Sequence, residues 1–190
     1  MKLLIATTNP DKFKEYQLLF KGSGLKLFNL PKLPRVVETG KTFKANVILK
    51  ARAYGVKYSC PVLADDSGLE IKTLRGFPGI YSNRFAKGDF GRARKEILRR
   101  LKGASETRRR ARFVCVIALY LPAKPIITFT GLVSGQIAAS ELGRHGFGYD
   151  SIFYLPRLKK TYGQMSASKK AESSHRSRAA KKLLKYLFGV

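Results

Sequence analysis

The chain has 190 residues, 44% of them hydrophobic, and its 38 Lys and Arg outnumber its 12 Asp and Glu. That apolar content supports one sizeable core and excludes a mainly disordered chain. The longest apolar runs, such as Phe113 to Leu121, fall short of the roughly 20 residues that span a bilayer. The net charge of +26 attracts polyanions such as nucleic acid, nucleotides or an anionic membrane face, and by itself chooses none of them. Cys60 and Cys115 show neither metal-type spacing nor a disulfide framework, which suits a reducing compartment. A soluble, untargeted, cytoplasmic protein forming one domain over 1–190 is the expectation.

In chain order, KLLIATT reads as a buried strand, and Asn9-Pro10 as the cap and first position of a helix. Phe13, Tyr16 and Phe20 give that helix an apolar stripe, and Gly22 ends it. A polar loop holding Glu38-Thr39-Gly40 precedes a second helix, expected from Thr42 to Tyr54 and stopped by Gly55. Pro61 to Ala64 is a second buried strand ending at Asp65-Asp66. Leu69 and Ile71 resume strand-like alternation, and Gly76-Phe77-Pro78-Gly79 forms a loop. Asp89 to Leu101 is helical and very basic. Arg112 to Leu121 and Ile126 to Val133 are two strands around the Pro122–Pro125 turn, as in an antiparallel hairpin. Gly146-Phe147-Gly148-Tyr149-Asp150 is a glycine-flanked loop feeding a strand from Ser151 to Leu155. Ser174 begins a last helix with Ala179, Ala180, Leu183, Leu184 and Leu187 on its apolar face. The fold class is therefore mixed α/β, with parallel and antiparallel pairing.

Several of these places carry possible chemistry. A helix starting at Pro10 offers backbone N–H groups and a positive dipole end to an anion, with Thr7, Thr8 and Asn9 as further hydrogen-bonding groups. Lys12 in the first turn opposes the dipole, a conflict that an anionic ligand would remove. An ordinary Asn-Pro cap with a solvated lysine is the plainer alternative. Asp65 and Asp66 project to opposite sides if the backbone stays extended, which separates their jobs. One suits Mg²⁺, which takes one or two carboxylates plus phosphate oxygens and water, and one can accept a proton from an attacking water. Asp-Asp-Ser-Gly is equally a good turn. Glu38 is a candidate second carboxylate for the metal or an exposed loop acid. Phe147 can stack on a flat ring or pack into the core. Ser174-His175-Arg176 again sets basic groups against a helix dipole.

Taken together, Thr-Thr-Asn-x-x-Lys, Glu-Thr-Gly, Ala-Asp-Asp-Ser-Gly-Leu, Pro-Gly-Ile-Tyr-Ser-x-Arg, Gly-Phe-Gly-Tyr-Asp and Ser-His-Arg, in that order from Leu3 to about Leu184, resemble the inosine triphosphate pyrophosphatase family. The resemblance implies hydrolysis of the non-canonical purine nucleotides ITP, dITP and XTP to the monophosphate and pyrophosphate, with Mg²⁺ as cofactor, usually by a homodimer. It implies an elongated α/β fold whose long mixed sheet and flanking helices form two lobes around a nucleotide cleft. Thr7, Thr8, Asn9, Pro10, Asp11 and Lys12 match the phosphate-binding turn, and Lys50 another triphosphate contact. Glu38 and Asp66 match the metal-binding acids, Asp66 also the general base, with Asp65 in support and Ser67 near the substrate. Phe147, Gly148, Tyr149 and Asp150 match the base-binding loop, and Lys170, His175 and Arg176 the groups that read the purine keto edge. The chain departs from the family at Ser168-Lys169-Lys170 and in Lys87-Gly88-Asp89, followed by Arg92 and Arg94, where relatives commonly carry acids. Two other readings stand beside this one. One is a nucleic-acid-binding protein using Arg92–Arg112 and the last helix, which charge permits but no motif supports. The other is a Maf-like pyrophosphatase of other nucleotides.

Overall fold

Continuous apolar runs build β1 and most of β3 and β4, while β5 alternates buried and exposed residues, and in the computed structural model, which describes residues 1–189, the strands pair into one mixed sheet. The elements are β1 (Lys2–Ile5), α1 (Pro10–Leu19), β2 (Lys26–Phe28), α2 (Phe43–Tyr58), β3 (Val62–Ile71), α3 (Ser82–Ala86), α4 (Phe90–Arg100), β4 (Arg110–Tyr120), β5 (Ile127–Ile137), β6 (Phe153–Leu155), β7 (Lys160–Thr161), α5 (Ala167–Ser173) and α6 (His175–Phe188). The strands lie in the order β2-β1-β3-β4-β5-β6-β7. β1 runs parallel to β2 and to β3, with Leu4 opposite Val62 and Ile5 opposite Leu63. β5–β6 and β6–β7 are antiparallel. The expected mixed α/β class is what the chain forms.

Three local expectations are corrected. The second helix does not stop at Gly55. It continues to Tyr58, because Gly55 is a packing residue: a Cβ there would stand 2.2 Å from the Tyr120 ring. Ser59, in the left-handed region, ends the helix instead. Likewise Asp65-Asp66 do not end a strand. β3 runs unbroken through Ser67 and Gly68 to Ile71, and nearly all of it is buried. The last helix starts at His175, one residue later than expected, since Ser174 closes α5.

The chain gathers into two compact units, one of residues 1–66, 115–131 and 175–189 and the other of residues 67–114 and 132–174. The core of the first joins Leu3, Ile5 and Leu63 of the strands to Tyr16 and Phe20 of α1 and to Ala179, Ala180 and Leu183 of α6. The α6 stripe thus reads correctly from the sequence. The core of the second joins Leu69, Ile71, Phe113 and Val133 to Ile97 and Leu101 of α4 and to Phe153 and Tyr162. Burying a side chain of this size is worth about 1.5–3 kcal/mol, so each core holds its own strands and helices without a disulfide; Cys60 and Cys115 are both free.

Candidate active site

The first unit holds a network of carboxylates and cations. α1 is capped by Asn9, whose Oδ1 accepts from the N–H of Asp11 at 2.9 Å and of Lys12 at 3.2 Å, while Thr7 Oγ1 accepts from the N–H of Asn9 at 3.1 Å. Pro10 occupies the first turn, where no N–H is needed. Lys12 does not wait on a ligand to offset the helix dipole: its Nζ lies 3.0 Å from Asp65 Oδ2 and donates to Oδ1 at 3.1 Å. Thr7 is buried and Thr8 exposed at this turn.

Because β3 stays extended, Asp65 and Asp66 face opposite ways and meet different partners. Asp65 also accepts from Arg176 Nη2 at 3.2 Å, and its backbone carbonyl accepts from Lys50 Nζ at 2.8 Å. Lys50, in the middle of α2, reaches Glu38 Oε1 at 2.9 Å and Asp66 Oδ1 at 3.5 Å. One ammonium therefore ties the Glu38 loop to both aspartates. Asp66 Oδ2 is buried and accepts no hydrogen bond. Arg176, 1% exposed at the start of α6, donates from Nη1 to Glu15 and stacks 5.8 Å from the Tyr16 ring. His175 beside it is buried too.

Electrostatics separates the two aspartates. Burial pushes Asp65 upward, but Lys12, Arg176 and Lys50 outweigh it and hold the carboxyl well below the usual carboxylate range. In Asp66 burial wins: despite the opposing pull of Lys50 and Lys12, the carboxyl is raised, with Glu38 and Asp65 adding to the shift. Lys50 is itself moved down by burial and more strongly up by Asp66, Asp65 and Glu38, so it stays charged. Asp66 is thus a carboxylate with a raised proton affinity and a buried, unengaged oxygen.

Among the described residues no group of three or more His, Cys, Asp or Glu side chains could hold a metal ion by itself. The donor set still fits a hard divalent cation. Glu38 and Asp66 share Lys50, Asp66 Oδ2 is an orphaned acceptor, and Mg²⁺ characteristically takes one or two carboxylates with substrate oxygens and water completing its shell.

The second unit holds the glycine-flanked loop. Gly146 and Gly148 both have positive φ, and a Cβ on Gly146 would stand 2.1 Å from Asp150 Oδ2. That oxygen accepts from the Phe147 N–H at 2.8 Å and from Lys170 Nζ. Lys170 also lies 4.8 Å over the Phe147 ring and 5.5 Å over Tyr162. Lys169 instead points outward, its Nζ 2.8 Å from Glu172. Tyr149 donates from its hydroxyl to the Ser82 carbonyl at 2.7 Å. Ser82 also donates to Gly79 O and accepts from the Leu69 N–H, pinning the Pro-Gly-Ile-Tyr-Ser stretch to β3. Ser67 sits half-buried on β3 in this unit.

The structure thus brings Lys12, Glu38, Lys50, Asp65, Asp66 and Arg176 into one network, and Phe147, Gly148, Tyr149, Asp150 and Lys170 into another. Sequence reasoning passed over Glu15 and, while quoting Ser82 within a motif and naming Arg94, gave neither a role. Glu15 had one usable signal: it is one of only 12 acids, set one turn from Lys12.

A mixed α/β chain with a carboxylate–ammonium network on a strand, and a separate aromatic loop closed by a buried lysine, has the parts of a nucleotide-handling protein. The chain belongs to the Ham1 family, whose model matches residues 3–186. It is 40% identical over 187 residues to the dITP/XTP pyrophosphatase of Geobacillus kaustophilus, covering 96% of this chain and 92% of that one. It is 42% identical over 186 residues to the dITP/XTP pyrophosphatase of an Exiguobacterium species, covering 96% and 95%. Among solved structures, the Ham1 protein of Staphylococcus aureus superposes with a TM-score of 0.87 at 39% identity, covering 100% of this chain and 99% of that one. The HAM1 protein of Coxiella burnetii gives 0.89 at 34% identity with full coverage of both. The nucleic-acid-binding and Maf-like readings gain no support from these matches.

Proposed function

We propose that this chain hydrolyses the non-canonical purine nucleoside triphosphates ITP, dITP and XTP to the monophosphate and pyrophosphate, clearing them from the nucleotide pool. The observation that carries this reading is Asp66: raised in proton affinity, with one buried oxygen unengaged, beside Lys50 and Glu38. The names of the Geobacillus and Exiguobacterium relatives support the substrate class.

In this mechanism Glu38 and Asp66 hold the divalent cation, which we take to be Mg²⁺. When bound, it neutralises triphosphate charge and acidifies water. Asp66 accepts the proton of a water attacking the α-phosphorus, and the bond from that phosphorus to the bridging oxygen breaks as pyrophosphate leaves. Lys12 and Lys50 supply positive charge for the triphosphate, with Thr7 to Asp11 shaping the turn. Asp65 stays ionised and positions both lysines. No covalent enzyme intermediate is needed. Ser67 is read as lying near the substrate. Phe147 stacks on the purine, Gly148 to Asp150 hold its plane, and Lys170, with His175 and Arg176, reads the 6-keto group. Adenine presents donors there, and mispaired buried groups cost about 1–3 kcal/mol.

We read 1–190 as one catalytic domain, working as a homodimer in the cytoplasm. The test measures pyrophosphate release from ITP, XTP, dITP, GTP, ATP and dTTP, with Mg²⁺ and with EDTA. Turnover confined to the first three and lost in EDTA is the expected result. Asp66→Asn is expected to lower kcat/KM by about 10²–10⁴-fold, and wild-type rates in that variant would remove Asp66 from the mechanism.

A further inference from the structure

Within the loop Gly146–Asp150 the backbone makes the Asp150 N–H to Phe147 O bond at 3.2 Å, and the Tyr149 carbonyl accepts from the N–H groups of Ile152 and Phe153 at 3.1 Å each; side chains hold the rest. Asp150 and Tyr149 are two of them. The third comes from α4. Arg94 Nη1 donates to the Gly148 carbonyl at 2.8 Å, and the same guanidinium donates from Nε to Glu141 Oε2 at 2.7 Å. Glu141 Oε2 in turn accepts from Ser151 Oγ at 3.0 Å. Arg94 and Glu141 therefore bridge the loop from its middle to the residue just after it. The carbonyl they hold follows Phe147 by one residue, at a glycine with φ +64°. Phe90, at the start of α4, meets the Tyr149 ring edge-on with centroids 5.3 Å apart, so the helix touches the loop twice.

We propose that Arg94 is a positioning residue for base recognition. By holding the Gly148 carbonyl it fixes the Gly148–Tyr149 peptide, one residue beyond Phe147, and so limits how the Phe147 ring lies against the Lys170–Asp150 pair. This rests on the reading that the loop takes the purine. A guanidinium can serve a carboxylate and a carbonyl at once through separate N–H groups on one rigid plane, whereas an ammonium is a single point charge with no such fork. Among the described residues Arg94 bonds to Gly148 and Glu141, and none of its bonds given above reaches Glu38, Asp65 or Asp66. It should act on binding of the base and leave the hydrolytic step alone.

The experiment compares Arg94→Ala, Arg94→Lys and Glu141→Gln with wild type for kcat and KM on ITP, GTP and ATP, with Phe147→Ala as reference and thermal unfolding alongside. Arg94→Ala is expected to raise KM for ITP about tenfold with kcat within about twofold, and to lower the ITP/ATP ratio of kcat/KM. Arg94→Lys should resemble Arg94→Ala rather than wild type, and Glu141→Gln should fall between. If Phe147→Ala loses base selectivity while the Arg94 variants keep it, the proposal for Arg94 is overturned and the base-binding loop stands. If Phe147→Ala keeps selectivity as well, the reading of the loop has failed and Arg94 falls with it. Should Arg94→Ala not fold, Arg94→Lys and Glu141→Gln decide by the same ratio. A fall in kcat at unchanged KM in those two would also overturn the proposal.

Discussion

Asp65 and Asp66 differ by one position along β3 and shift their proton affinities in opposite directions. The sign of each effect on stability follows. Asp65 has its folded value lowered, chiefly by Lys12 and Arg176 against the cost of burial, so its contribution is present above the ordinary carboxylate value of about 4 and is lost as pH falls below it. Urea-unfolding midpoints should therefore drop as pH goes from about 4 toward 2. Asp65→Asn should flatten that slope and, by removing the carboxylate that Lys12 and Arg176 share, cost about 3–5 kcal/mol at pH 7. An unchanged slope in the variant would place the acid sensitivity elsewhere. Asp66 has its folded value raised, so its charged form weighs against folding once pH rises through that value. Asp66→Asn should accordingly raise Tm at pH 7, measured without divalent cations, while losing turnover. A lower Tm in the variant would contradict the sign argued here.

At the scale of elements, glycines show why some boundaries were legible and others were not. Gly55 near the end of an apolar helical pattern looks the same as a helix stop; only Tyr120, on a strand far along the chain, decides that it is a contact. Asp-Asp-Ser-Gly has the composition of a turn, yet buried Leu63, Ala64, Leu69 and Ile71 carry β3 through it. The Asn9 cap of α1 and the apolar stripe of α6 were readable because each signal is local: Asn9 stands beside Pro10, and Ala179, Ala180 and Leu183 recur at helical spacing. The Thr7–Lys12 turn, Glu38, the aspartates and the aromatic loop were readable as motifs. Arg94 was not, being one of many basic residues between Arg92 and Arg112 whose acceptors, Gly148 and Glu141, lie about fifty positions away. Gly131 gives the sharpest test of packing. A Cβ there would stand 2.0 Å from the His175 carbonyl and 2.6 Å from the Ala179 nitrogen, both backbone atoms of α6. Gly131→Ala should cost about 3 kcal/mol or more, a fall in Tm of about 6–12 °C for a chain of this size, read by calorimetry. A Tm within a degree of wild type would mean that α6 can shift without cost.

Over the whole molecule, acids are few and concentrated. Of 12, Glu15, Glu38, Asp65 and Asp66 belong to the network of the first unit and Asp150 to the loop of the second, while α2 and α6 contain none. The net charge of +26 therefore leaves the surface as a positive field for any polyphosphate. The measured kcat/KM for ITP should fall about tenfold between low salt and roughly 0.5 M, since small-ion screening shortens the reach of that field. A flat salt profile would show that encounter with the nucleotide owes nothing to it.

The chain passes from one unit to the other four times, after Asp66, Val114, Gly131 and Ser174, and three of those passages fall inside β3, β4 and β5. No single cut of the gene releases either unit whole, and the cuts that would separate them sever strands in mid-course. Neither half can be inherited, exchanged or fused as a module. A lineage carrying this protein can therefore change either unit only by substitution in place, and never by borrowing a ready-made half from another gene.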